Sequence, residues 1–212
     1  MDLLSLVAPP SCLRCRAPLR RAARGPGLCG RCSAEIDRQR GIAFAADGVD
    51  RGFAPLGYDG AGRRLVAALK FSRLLVVAEL AAALIADGTP QHPGSAPAIV
   101  PVPGAPLRQL RRGFDPAWEI STALAGLTGW QLAPVLRRRD LRRQRGRTRR
   151  ARLAEPPRIE ATCPAPRLAL LVDDVVTTGA TMTASAWALR RAGSARVDAV
   201  ALAAVHPGRK RG

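Results

Sequence analysis

Acidic residues are scarce in this chain. Sixteen aspartates and glutamates stand against 34 lysines and arginines in 212 residues, a formal charge of +18. A surface so short of acids favours polyanionic partners: nucleic acid, phosphorylated ligands or an anionic membrane face. A GC-rich coding bias would explain why only Lys70 and Lys210 represent lysine, but it does not explain the missing acids. Long apolar runs are also lacking. The longest, Leu74 to Ala86, is interrupted by Glu79 and falls short of the roughly 18 residues of a membrane span, so it reads as a core helix. The opening "MDLLSLVAPP" has no basic n-region and too short an apolar stretch for a secretory signal, so a cytoplasmic protein without membrane insertion is expected. Histidine occurs twice, as His92 in a linker and His206 near the tail, and both read as solvated. Aromatics make up 4%, and Trp118, Trp130 and Trp187 read as core. The remainder, 47% hydrophobic residues, is enough for one domain plus a small appendage.

Four of the five cysteines crowd the start. Cys12 and Cys15, then Cys29 and Cys32, form two C-x-x-C knuckles, and Cys163 stands alone. Each knuckle turn presents two sulfurs about one point, so the set can surround a tetrahedral Zn²⁺ with no position left for water: a structural site. Reduced structural thiols or two disulfides are the alternatives, the latter disfavoured in a cytoplasmic chain. "RGPGLCGRC" supplies glycines for the knuckle turn. Arg14, Arg16, Arg20, Arg21, Arg24 and Arg31 make this module, residues 1–45, basic in its own right.

From residue 46 to 212 the pattern alternates between apolar runs and helical periods. "GFAPLGYDG" reads as strand and turn, "AGRRLVAALKF" and "LLVVAELAAALIADG" as helices, and "AIVPV" as a buried strand. "PGAPLRQLRRGFDP" reads as a loop, and "AWEISTALAGLTG" as a helix with Trp118, Ile120 and Leu124 inward. "WQLAPVL" is a weak strand, "LALLV" the best one, then a helix and a last strand, "RVDAVALAAVH". Strands alternating with helices predict an α/β domain with a parallel sheet flanked by helices. Ligands of such sheets sit beyond the carboxyl ends of the strands.

At one such end lies "LALLVDDVVTTGAT", residues 168 to 181. Two adjacent carboxylates, Asp173 and Asp174, close the apolar run, and a hydroxyl-rich turn opens the next helix. Backbone N–H groups and threonine hydroxyls above a helix N-terminus cradle a phosphate. The spacing is not a Walker loop, for no lysine follows, nor a dinucleotide loop, for Val and Thr stand where glycines belong. Paired carboxylates beside a phosphate suit vicinal hydroxyls, which points to a sugar phosphate.

These residues carry a resemblance. "LVDDVVTTGAT" is similar to the phosphoribosyl diphosphate (PRPP) loop of type I phosphoribosyltransferases. With the four-cysteine module, "LVAALKF" and "IVPVPGAPLRQLRRGFD" in this order, the whole chain resembles the ComF family of competence proteins, the ComFC/GntX type. The resemblance implies a type I phosphoribosyltransferase-like sheet. Asp173 and Asp174 would hold the ribose 2′ and 3′ hydroxyls and be the catalytic pair. Thr177, Thr178, Gly179, Ala180 and Thr181 would hold the 5′-phosphate. "VPVPG" would lie at the pyrophosphate, with Lys70 and Arg112 as its cations and Mg²⁺ carried mostly by the ligand's own oxygens. Where the family reads R-G-F-N-Q, this chain has Arg112, Gly113, Phe114, Asp115 and Pro116, with a backbone donor and two side-chain amides lost.

Residues 137 to 152 hold ten arginines and one acid, half of the chain's excess charge. As a plain helix face this stretch would repel itself. Arg142, Arg143, Arg149 and Arg150 are candidates for gripping a single-stranded DNA backbone with little sequence preference, although no aromatic is interleaved for base stacking. The alternative is a loop that closes over pyrophosphate. The family resemblance implies PRPP binding coupled to DNA uptake or processing. An active phosphoribosyltransferase, or a DNA-binding adaptor with a vestigial PRPP site, are the other readings.

Overall fold

The computed structural model describes residues 11–13, 15–19, 27–37, 41–72, 75–89, 95–139 and 157–206. Arg142, Arg143, Arg149 and Arg150 lie outside them, as do His92 and Arg14, Arg20, Arg21 and Arg24 of the cysteine module. The elements are α1 (Gly30–Asp37), β1 (Ile42–Phe44), β2 (Arg51–Ala54), β3 (Leu56–Gly57), α2 (Gly60–Ser72), α3 (Leu75–Gly88), β4 (Ala98–Pro101) and α4 (Pro106–Arg112). They continue with α5 (Pro116–Thr128), β5 (Leu136–Arg138), β6 (Ile159–Ala161), β7 (Leu168–Val176), α6 (Ala180–Arg191) and β8 (Arg196–Ala204).

The chain is an α/β protein with a mixed, largely parallel sheet in the order β1-β2-β8-β7-β4, β3 also pairing with β8. Only β1 runs antiparallel, against β2. Pro55, which has no N–H to give, interrupts the strand between β2 and β3. The register against β8 is unchanged across it, from Arg51 opposite Asp198 to Gly57 opposite Ala204.

Continuous apolar runs suit β4, β7 and β8 because helices cover both faces of the sheet. On one face Leu65 and Leu69 of α2, Val77 and Ile85 of α3, and Ile120 and Leu124 of α5 pack with Leu170, Val172, Val200 and Leu202. On the other, Met182, Ala186 and Leu189 of α6 pack with Ala169, Leu171, Val197, Ala199 and Ala201. Alternate residues of each strand thus fill opposite cores. Cys12, Leu28, Cys32 and Ile36 join the first core, so the cysteine module rests on α2 and α3.

Several expectations change. The segment after β4 is not all loop: Pro106, at a position where its missing N–H costs nothing, starts α4, and Gly113 at φ 75° ends it. "WQLAPVL" forms no strand of its own. Leu132 makes one parallel bridge to Ile99, and Leu136 onward turns into a separate two-stranded antiparallel ladder with β6. Trp118 and Trp187 are 41% and 47% exposed and are not core residues. Both sit on helices whose inner faces are already filled by Ile120 and Leu124, or by Met182 and Leu189. Among the described residues no helix is long and apolar enough to cross a membrane.

Candidate functional site

The four cysteines come together as the spacing predicts. Sγ atoms of Cys12, Cys15, Cys29 and Cys32 all lie within 4.8 Å of one another, with Cys15 and Cys29 sulfurs 3.7 Å apart. Tetrahedral ligands about 2.3 Å from zinc stand roughly 3.8 Å from each other, so the donor set fits that ion. None of the five cysteines is in a disulfide, and the Cys29 N–H donates to Cys12 Sγ at 3.4 Å. The left-handed position after the first knuckle is taken by Arg16 at φ 61° and not by glycine, while Gly27 at φ 84° serves the approach to the second. Cys32 lies in the first turn of α1.

The acid pair stands where β7 outruns its neighbour. Pairing with β4 stops at Pro101 opposite Val172, whereas β8 accompanies β7 as far as Val176 opposite Ala204. The strand therefore does not end at Asp173, as its apolar run implies; it continues through both acids with one edge uncovered. Asp174 is 6% exposed, and Lys70, in the last turn of α2, places its Nζ 2.7 Å from Asp174 Oδ2. The Asp174 N–H donates to Asp173 Oδ1 at 2.8 Å. Burial pushes the Asp173 carboxyl well above the usual carboxylate range, and the neighbouring charge of Asp174 pushes it further. The Asp174 N–H and the Lys70 ammonium oppose this in part. Asp173 as a whole residue is half-buried.

Behind the acids, Thr177 and Thr178 are exposed at the bend, and Gly179 caps α6 at φ 75°. A Cβ at Gly179 would find nothing closer than 3.7 Å, so the left-handed backbone and not crowding requires glycine there. The Ala180 N–H donates to Thr178 Oγ1 at 3.4 Å. Twelve residues of α6 point their positive end at this turn. The arrangement can hold an anion at the helix start and hydroxyl donors at the acids.

Asp115 is the residue that sequence reasoning undervalued. It caps α5, accepting from the Ala117 N–H at 3.0 Å, and also accepts from the Gly104 N–H at 3.3 Å and from Gln109 Nε2. One carboxylate thereby ties the Pro103–Gly104 loop to both α4 and α5. Its charge also helps to raise the Asp173 carboxyl. The signal was available in "FDPAW": an aspartate followed by proline just before an apolar period is a helix start. Asp115→Ala should cost about 1–2 kcal/mol as a lost cap and loosen the Pro103–Gly104 loop, and Asp115→Asn should recover much of it. Urea midpoints of the three proteins check this.

No protein-family model matches the chain, and no curated protein matches it. The site stands on its own geometry. Lys70 is brought to the acids, Arg112 lies in the half-buried last turn of α4, and Thr177 to Thr181 form the bend and first turn of α6. Of the arginine-rich stretch, Arg137, Arg138 and Arg139 are described. Arg137 and Arg139 hold Glu160 at 2.8 and 2.7 Å.

Proposed function

We propose that the chain binds PRPP, or a closely related sugar diphosphate, at the turn after Asp173 and Asp174. In this reading it is a ComF-type protein of phosphoribosyltransferase-like fold acting in DNA uptake or processing. The observation that carries the reading is the acid pair on an uncovered strand edge followed directly by a glycine-capped helix start. Asp173 and Asp174 would accept from the ribose hydroxyls, and the N–H groups and hydroxyls of Thr177 to Thr181 would receive the 5′-phosphate. Lys70 would hold the Asp174 side chain in place through their ion pair. Mg²⁺, when bound with the ligand, would neutralise the diphosphate. PRPP with Mg²⁺ should raise the thermal midpoint, by an amount that grows with the logarithm of its concentration above Kd, and ribose 5-phosphate should do so less. An unmoved midpoint at millimolar PRPP would count against the proposal.

A second reading, phosphoribosyl transfer or PRPP breakdown, gains support from Asp173. A carboxyl that burial and a neighbouring carboxylate hold above its ordinary range is a candidate proton donor. Pyrophosphate release from PRPP over hours, absent in Asp173→Asn, would favour turnover over binding alone.

Single-stranded DNA is the second partner in this proposal, with Zn²⁺ structural in the cysteine module. If residues 137 to 152 grip the backbone, binding should be sequence-tolerant and fall with salt, with a log–log slope of about 0.7 per phosphate neutralised. Changing Arg142, Arg143, Arg149 and Arg150 together to Ser should flatten the slope, cost most of the DNA affinity and leave PRPP binding in place. A quadruple variant that keeps DNA and loses PRPP would reassign this stretch to substrate closure.

A further inference from the structure

The arginine-rich stretch carries no aromatic residue, and phosphate contacts alone make a weak grip on single strands compared with phosphate contacts plus base stacking. The fold supplies an aromatic from elsewhere. Trp118, in the first turn of α5, is 41% exposed. It lines a hollow of about 280 Å³ together with Pro103, Pro134, Leu136, Arg137 and Arg138. The arginines belong to β5, the strand from which the arginine-rich stretch departs. The indole and several prolines give the hollow flat apolar wall, Gln109 and Asp115 add a polar side, and Arg137 and Arg138 bring the cations. Arg137 and Arg139 share the carboxylate of Glu160 and keep 63% and 65% of their side chains exposed, so both guanidinium groups stay open to solvent.

A tryptophan has two reasons to be exposed: chance, or a partner that uses its face. Trp187 shows the first case. It is 47% exposed, and its ring lies against Gly48. Trp118 differs in lining a hollow together with arginines. The hollow is at the small end of ligand sites, which suits one planar ring and not a larger ligand. Its chemistry, an indole among prolines with guanidinium groups in the same lining, is that of a single-strand stacking platform.

We infer that Trp118 stacks a base of single-stranded nucleic acid in this hollow while Arg137 and Arg138 meet the adjoining phosphates. The inference rests on the nucleic-acid part of the proposed function and adds to it the base-binding surface. Stacking and phosphate contact respond differently to salt, which separates them. Only phosphate contact releases counterions.

The test uses the full zinc-loaded chain, oligothymidylate and an oligonucleotide of the same length made of abasic sites. Wild type should bind the abasic strand roughly tenfold more weakly than oligothymidylate. Trp118→Leu should bind both strands alike, at the abasic level, with the salt slope unchanged. Trp118→Phe should restore part of the preference, and Trp187→Leu should behave as wild type. Because Trp118 is not a core residue, its variants should keep the wild-type thermal midpoint. If Trp118→Leu retains the preference for base-bearing DNA, the inference fails while DNA binding stands. If wild type binds neither strand, both the inference and the DNA reading fail, and PRPP titration of the same sample still judges the sugar-phosphate site separately.

Discussion

Replacing Cys29 by Ser should strip the metal from the four-cysteine cluster and unfold the segment around it. Structural zinc contributes on the order of 10–16 kcal/mol in small modules of this kind, far more than the module can gain from its own packing. Among the described residues before β1, only Cys12, Leu28, Cys32 and Ile36 are buried, and two of these belong to the cysteine cluster. Those four side chains pack in the same core as Leu69 and Val77. Losing the module should therefore also uncover part of α2 and α3. The sheet, whose strands β4, β7 and β8 are largely buried on both faces, should stay folded with a lower thermal midpoint, by about 2–4 °C for each kcal/mol lost at this chain length. Elemental analysis should find one zinc per chain in the wild type and none in the variant. Hydrogen exchange should show protection lost before residue 38 and retained in β7 and β8. Wild-type protein free of metal, with four thiols titrating at once, would contradict the assignment.

The acid pair gives the second large effect, and the two positions should differ in sign for stability. At Asp174 the carboxylate faces Lys70 Nζ at 2.7 Å, and both side chains are mostly buried. Asp174→Asn leaves the ammonium without its counter-charge and should destabilise by roughly 2 kcal/mol, below the 3–5 of a fully buried pair because Lys70 keeps 19% exposure. Asp173→Asn should do the reverse. The folded protein holds the Asp173 proton more tightly than the unfolded chain does. Its ionisation therefore opposes folding, and wild-type stability falls as pH rises from about 4, where the unfolded carboxyl titrates, through the raised folded value. An amide at 173 removes that cost and flattens the pH dependence over the window. Both variants should nonetheless lose PRPP affinity, by roughly 1.5–3 kcal/mol for each charged hydrogen bond given up. Opposite stability changes with a shared binding loss would be hard to obtain from general misfolding.

How much of this could be read from the sequence follows from how local each feature is. The zinc cluster is legible because two short knuckles set most of its geometry, and the four sulfurs do meet. The strand–turn–helix around Asp173 is legible because period, charge and Gly179 all lie within fourteen residues. The Lys70–Asp174 pair is not, since 104 positions separate the partners and only the stacking of α2 on the sheet joins them. Asp115 was read as a lost asparagine because side-chain identity was weighed without its contacts. Three N–H donors from separate segments give it a different role. Trp130 does pack against the core, but burial of Trp118 and Trp187 failed for a related reason: hydrophobicity says that an indole prefers cover, yet packing fixes the number of inward places on α5 and α6, and smaller side chains occupy them.

The central claim is that the turn after Asp174 is a sugar-phosphate site, and calorimetric titration of zinc-loaded protein with PRPP and Mg²⁺ tests it most directly. One site per chain is predicted, with affinity lowered in Asp173→Asn and lowered further in the double Asp173→Asn, Asp174→Asn variant. No heat of binding in the wild type, or an unchanged affinity in the double variant, would contradict the account.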